Sequence, residues 1–129
     1  VTDGPTALQA AIYAALIAAP PIGANVYDVV PPNAVFPHIE MAGGTLLSAN
    51  AIVLSADTHT VEIHVWSRYS GFAEARTLMQ AVRDRLDLAG LALTGAALTF
   101  IKFAGSDLVM DADGLTVHGI VRFKAMVTT

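Results

Sequence analysis

The sequence predicts an α+β fold, a mainly antiparallel sheet with two helices packed on one face. Three observations predict it. Residues 61–86 read as strand, tight turn and helix; residues 115–127 alternate with the period of a strand; and the chain opens on a stripe of helical period cut off by two prolines. Taken in order, the elements run α-β-β-β-α-β-β and close on a hairpin, the arrangement of an α+β domain.

The opening helix is expected to begin near Gly4 to Thr6, where Pro5 suits a first helical position and Thr6 with Gln9 matches a capping box. Leu8, Ile12, Ala15 and Leu16 line one face, Tyr13 and Ile17 widen it, and Pro20 and Pro21 cannot continue it. After Gly23, residues 25–30 read as a short strand, and residues 36–41 as another with Pro37 near its start. Gly43 and Gly44 open a region without clear period that runs to Thr58. It is predicted as a long loop or an excursion of the sheet, and a connection of that length points to contact with a neighbour.

In the central unit Val61, Ile63 and Val65 alternate with Glu62, His64 and Trp66, so one face of the strand is buried and the other meets water or a partner. From Phe72 the apolar stripe is Ala75, Leu78, Met79, Val82 and Leu86, with Ser70 or Gly71 as cap and Gly90 as end. A strand is expected at 98–104, and Asp113-Gly114 signals a hairpin turn into the last strand. There Leu115, Val117, Val121, Phe123, Ala125 and Val127 share a face with Gly119, and His118, Ile120, Arg122 and Lys124 share the other.

At 129 residues the chain is predicted to be a single domain, 1–129. It has no cysteine, which excludes disulfides, thiolate nucleophiles and cysteine-held metals. A net charge of −4 and a pI near 5.3 disfavour gripping nucleic acid. Hydrophobic residues make up 54%, charged residues only 14% against about 25% in an ordinary soluble domain, and mean hydropathy is +0.57. Residues 10–19 are too short for a span of roughly 20 residues, and the N-terminus, with Asp3 and no basic residue, does not look like a signal peptide. Burial against other subunits is the expected use of the surplus.

The search for chemistry finds no constellation. His59 and His64 lie an odd number of residues apart and so on opposite faces, each expected at a surface or interface. Asp111 and Asp113 before Gly114 lack the rest of a calcium loop and read as a turn. Ser48, Ser55, Ser67, Ser70 and Ser106 sit in no nucleophile motif, and Gly43-Gly44 is too poor a loop to cradle phosphate. No catalytic, metal or cofactor residue is predicted. Arg68, Arg76, Arg83 and Arg85 are either a surface for an acidic partner or a solvated helix face, and Trp66 is either the lid of a second small core or an anchor for a neighbour. The candidate interface residues are Trp66, Arg68, Arg76, Gln80 and Arg83, with Asn50, Ile52 and Leu54 from the 43–58 region.

The segment HVWSRYSGFAEARTLMQAVRDRL, with LQAAIYAAL and VYDVVPPNAVFPHIEM before it and DGLTVHGIVRFKAMV after it, resembles the tail-terminator proteins of long-tailed bacteriophages and gene transfer agents. These are also called tail-completion or head-to-tail joining proteins; HVWSRY with HGIVRF looks most like the gene-transfer-agent form. The resemblance implies a structural subunit of a virion or gene transfer agent particle, made in the bacterial cytoplasm, without cofactor or enzymatic activity. It implies a homohexameric ring that caps the tail tube and joins it to the head connector, with DNA passing through the centre. The rivals are a small-molecule-binding or enzymatic α+β domain whose apolar surplus lines a pocket, and a binding module docking through Trp66 and the arginines.

Overall fold

A computed structural model describes residues 4–50 and 55–128. Helix α1 (Gly4–Ile17) is followed by strands β1 (Asn25–Tyr27), β2 (His38–Asn50) and β3 (Ser55–Ser67), helix α2 (Ala73–Leu86), and strands β4 (Ala97–Met110) and β5 (Val117–Thr128). The strands form one sheet in the order β1-β2-β3-β5-β4. Strand β1 is parallel to β2, and every other pair is antiparallel. This is the predicted α+β fold.

The sheet is organised on β3 and β5, which pair without interruption from Ala56 opposite Thr128 to Ser67 opposite Val117. Because side chains alternate, one register sorts both strands at once. Ile63 faces Val121 and Val61 faces Phe123 on the side that carries the helices, while His64 faces Ile120 and Trp66 faces His118 on the other. The helix side is the core: Ile39, Met41, Ile63, Val65, Ile101, Val121, Phe123 and Ala125 pack under Leu8, Ile12 and Leu16 of α1 and Ala75, Leu78, Val82 and Leu86 of α2. At Gly119 a Cβ would lie 2.5 Å from Met79 Sδ. A glycine there lets α2 seat on the sheet.

One arginine ties the helices together. Arg85, at the end of α2, donates through Nη1 to the carbonyls of Ala15, Leu16 and Ala18, and through Nη2 to that of Pro20. The last carbonyls of a helix lack intrahelical partners and carry its negative pole, so a guanidinium there meets both hydrogen-bonding and electrostatic demand. Arg85 thus belongs to neither of the two alternatives predicted for it.

Several local expectations are corrected. Of the two alternatives for the 43–58 region, its described residues form the excursion of the sheet and not the loop: β2 continues to Asn50 and β3 begins at Ser55, paired to each other across an irregularity between Ala42 and Thr45. That shift breaks the alternation, which is why no period shows in the sequence. Helix α1 already includes Gly4, so Thr6 lies inside it instead of capping it, and the Gln9 amide donates to Asp28 Oδ1 at 2.7 Å. Helix α2 is preceded by Phe72 with no side-chain cap from Ser70 or Gly71, and it ends four residues before Gly90, with the Asp87 N–H on Arg83 O and Leu88 in the left-handed region at φ 58°. Strand β4 extends to Met110 rather than 104 because a second irregularity at Gly105, φ 151°, lets it resume pairing with β5. Leu115 lies outside β5 and is exposed.

Candidate functional site

The face of the sheet opposite the helices carries a cluster of polar and aromatic side chains. Alternation puts His38 and Glu40 of β2, Glu62, His64 and Trp66 of β3, His118 and Arg122 of β5 and Asp107 of β4 on this one side. Trp66 stacks on His118 with centroids 3.8 Å apart and planes within 7°, and its other neighbours are His38 and His64 at 6.5 Å. His38 is buried among Tyr27 and Phe36, with its Nδ1 3.2 Å from Val35 O. Arg68 lies over the Phe36 ring at 4.2 Å and donates from Nε to Thr116 Oγ1. Trp66 therefore rests on a second small core, and its Nε1 donates to Glu40 Oε1.

A hydrogen-bonded chain runs from this core across three strands. His64 Nε2 is 3.1 Å from Glu62 Oε1 and His64 Nδ1 is 2.7 Å from His118 Nε2. A carboxylate only accepts, so His64 donates from Nε2, and with that ring neutral its Nδ1 accepts from His118 Nε2. Glu62 also accepts from Arg122 Nε, and Arg122 Nη1 donates to Asp107 Oδ2 at 2.6 Å. Burial and the adjacent His64 hold His118 below the usual histidine range. The His64 hydrogen bond, helped by Arg122, holds Glu62 below the usual carboxylate range. The chain ends on an ion pair in solvent rather than on a nucleophile, and among the described residues no group of three or more acidic or histidine side chains could hold a metal ion.

The other predicted residues lie elsewhere. Arg76, Gln80 and Arg83 share the exposed side of α2 and, with Met79, Phe103 and Leu108, line a groove of about 410 Å³ beside β4. Arg83 lies over Phe103 at 3.9 Å and only 3.9 Å from Asp87, while Gln80 donates to Asp84. The structure thus places Trp66 and Arg68 on the helix-free face and Arg76, Gln80 and Arg83 on the helix side. Asn50 ends β2, and Ile52 and Leu54 lie outside the described residues.

Three features were missed in the sequence. His59, expected at a surface or interface, is buried on the helix side, opposite in face to His64 as expected; its Nε2 has no hydrogen-bond partner among the described residues, and burial lowers its pKa. It borders a cavity of about 240 Å³ with Leu8, Ile12, Met41, Gly43 and Val61. The His118–His64–Glu62–Arg122–Asp107 chain was hidden because it depends on the register of three strands. Ser67 is buried, donating to Glu74 Oε1. Asp113 does form the expected turn, accepting from Leu115 N, Thr116 N and Thr116 Oγ1, which pulls its carboxyl down to about 2.

No helix among the described residues is long and apolar enough to cross a membrane. No curated protein matches the chain. Among solved structures, a chain of the "Virion of native gene transfer agent (GTA) particle" superposes with a TM-score of 0.91 at 26% sequence identity, covering 100% of both chains. The family model described as Tail completion protein gp17 matches residues 10–128, and the chain belongs to that family of structural, virion-located tail proteins.

Proposed function

We propose that this protein assembles into a homohexameric ring that caps the finished tail tube and joins it to the head connector, with DNA passing through the centre unread. The observation that carries the reading is the end-to-end likeness to a chain of a gene transfer agent virion, joined to the tail completion family match. The surface agrees with it. The helix-free face offers a rigid aromatic and ionic platform rather than a deep pocket, which suits a protein partner more than a small molecule. Val29, Val35, Tyr69 and Leu88 stand mostly in solvent, apolar side chains that a partner would cover. The ring repeats as one 1–129 domain per copy.

In this reading Trp66 and Arg68 anchor one contact surface, and Arg76, Gln80 and Arg83 meet an adjacent subunit or a tube protein, together with Asn50, Ile52 and Leu54. No residue is asked to do chemistry; binding energy is spread over a ring of contacts. Electron microscopy of particles from a strain lacking the protein tests the function. Filled heads without properly joined tails, and tails of irregular length, are expected. Normal tailed particles would overturn the proposal, and loss of activity on His118→Ala with assembly intact would revive an enzymatic reading.

A further inference from the structure

Among the described residues, the two longest uncovered stretches of strand edge lie on opposite sides of the sheet. Strand β1 covers β2 only at His38 to Glu40, so the β2 edge from 42 to 50 has no neighbour among the described residues. On the far side, the outer edge of β4 is occupied early in the strand, where Leu88 N donates to Ile101 O and Phe103 N to Asp87 Oδ1. Beyond the irregularity at Gly105 it is open to Met110, again among the described residues. Exposed edges are normally guarded by lysine, proline or an inward charge. Neither of these is: 42–50 reads AGGTLLSAN, and 105–110 reads GSDLVM, whose one charge is drawn to Arg122.

We infer that the open half of β4 in one copy adds antiparallel to the open half of β2 in the next, so that the sheet runs on from subunit to subunit. The inference rests on the ring reading. A second copy is the occupant because one chain carries both unguarded edges at opposite ends of one sheet, the heterologous pair that rotation repeats. The levels of the two edges supply a geometric check. Asp107 lies level with Ile120, His64 and Glu40, below the open part of β2. Keeping the helix sides of both copies together requires an even stagger, and four or six residues bring the edges face to face, roughly 13 or 20 Å.

One copy contributes four strand spacings, roughly 19 Å in all. The stagger then corresponds to strands tilted by about 35° or 45°, within the range closed sheets adopt. Under either stagger Met110, on the helix side opposite Val117 and 42% exposed, arrives level with Met41 or Gly43. Both border the cavity where the Nε2 of His59 lacks a partner among the described residues. The incoming strand would end just above β1, completing the position that β1 fills for three residues only.

The absence of cysteine makes the test clean. Val109 is exposed on the helix-free side, and it pairs with Ala42 under the shorter stagger and Thr45 under the longer. The double variants Ala42→Cys/Val109→Cys and Thr45→Cys/Val109→Cys are oxidised in the assembled state. Within a copy the two strands are roughly 14 Å apart, beyond the reach of a disulfide. One pair should convert most of the protein into a covalent ladder on a denaturing gel, with single-cysteine variants giving none. Rings seen by native mass spectrometry that neither pair bridges would overturn the edge pairing and leave the ring standing; protein that stays monomeric alone and with purified tail tubes would overturn both. Ser106→Pro gives a second arm by removing an outward N–H from an exposed position: loss of the ring with the monomer still folded is expected, and rings at the wild-type concentration would again overturn the pairing.

Discussion

The two faces of the sheet are made by the same strands yet obey different rules. On the helix side, Ile63, Val65, Val121 and Phe123 are sealed from water and held by shape. On the other, Glu62, His64, Trp66 and Arg122, their immediate neighbours in sequence, are half-buried with His118 and held by directed contacts. The difference teaches where this molecule keeps its stability and where it can keep its partners. Apolar packing is worth a great deal per residue when buried, whereas hydrogen bonds and ion pairs open to solvent contribute little net.

Substitution can break that contrast. Phe123→Ala, in the middle of the sealed face, should lower stability by about 3–5 kcal/mol in urea titration. A loss below 1 kcal/mol would show that the core collapses around the gap. Trp66→Ala should cost the monomer less than half as much while weakening assembly at least tenfold by native mass spectrometry; the opposite ratio would make Trp66 core rather than interface. Gly119→Ala tests the seat of α2. Met79 must move aside for the new methyl, at a cost of about 1–3 kcal/mol.

Arg85→Met removes the guanidinium shared by the carbonyls at the end of α1, and a loss of about 1–2 kcal/mol is expected. Arg76 and Arg83, exposed on the same helix, should behave differently. Charge reversal at both should change monomer stability by no more than about half a kcal/mol and yet reduce assembly.

Acidification sharpens the contrast least but touches both faces. His59 and His118 have lowered pKa values, so the unfolded chain binds more protons than the folded one below the ordinary value of 6.5. Their contribution is therefore complete above that value and falls as pH drops through 6.5 toward their lowered folded-state values. Thermal unfolding of His59→Gln and His118→Gln should show a flatter slope in that window than the parent. Asp113, held down to about 2, loses its turn only at much lower pH, since its stabilisation persists above the ordinary carboxylate value and disappears as pH falls toward 2.

Much of the covered face was legible because burial imposes a period. The stripe of α2 and the alternation of β3 and β5 follow from residues such as Leu78, Val82, Ile63 and Val121, each buried as expected. The extent of β2 and β4 was not legible, because irregularities at Ala42–Thr45 and Gly105 reset the alternation midway. Arg85 and His59 were misplaced for a common reason: their environments are built by segments distant in sequence, residues 15–20 for one and α1 for the other. On the helix-free face the residue types pointed to a partner surface, but only register could join His118 to His64 and Arg122 to Asp107.

The uninterrupted pairing of β3 with β5 has a consequence in time. Residues 56–67 and 117–128 are joined by no short turn; α2 and β4 must be made before the two strands can meet. Contacts of such long sequence separation close a large loop before they are rewarded, which slows folding relative to a helical protein of this size. Both faces are completed by that one late event. A chain still emerging from the ribosome has β2 and β3 but not the Trp66–His118 stack or the β4 edge, so a subunit cannot present the surfaces proposed to join copies until its core is closed. Under the proposed assembly, that order of events keeps half-made copies out of the ring.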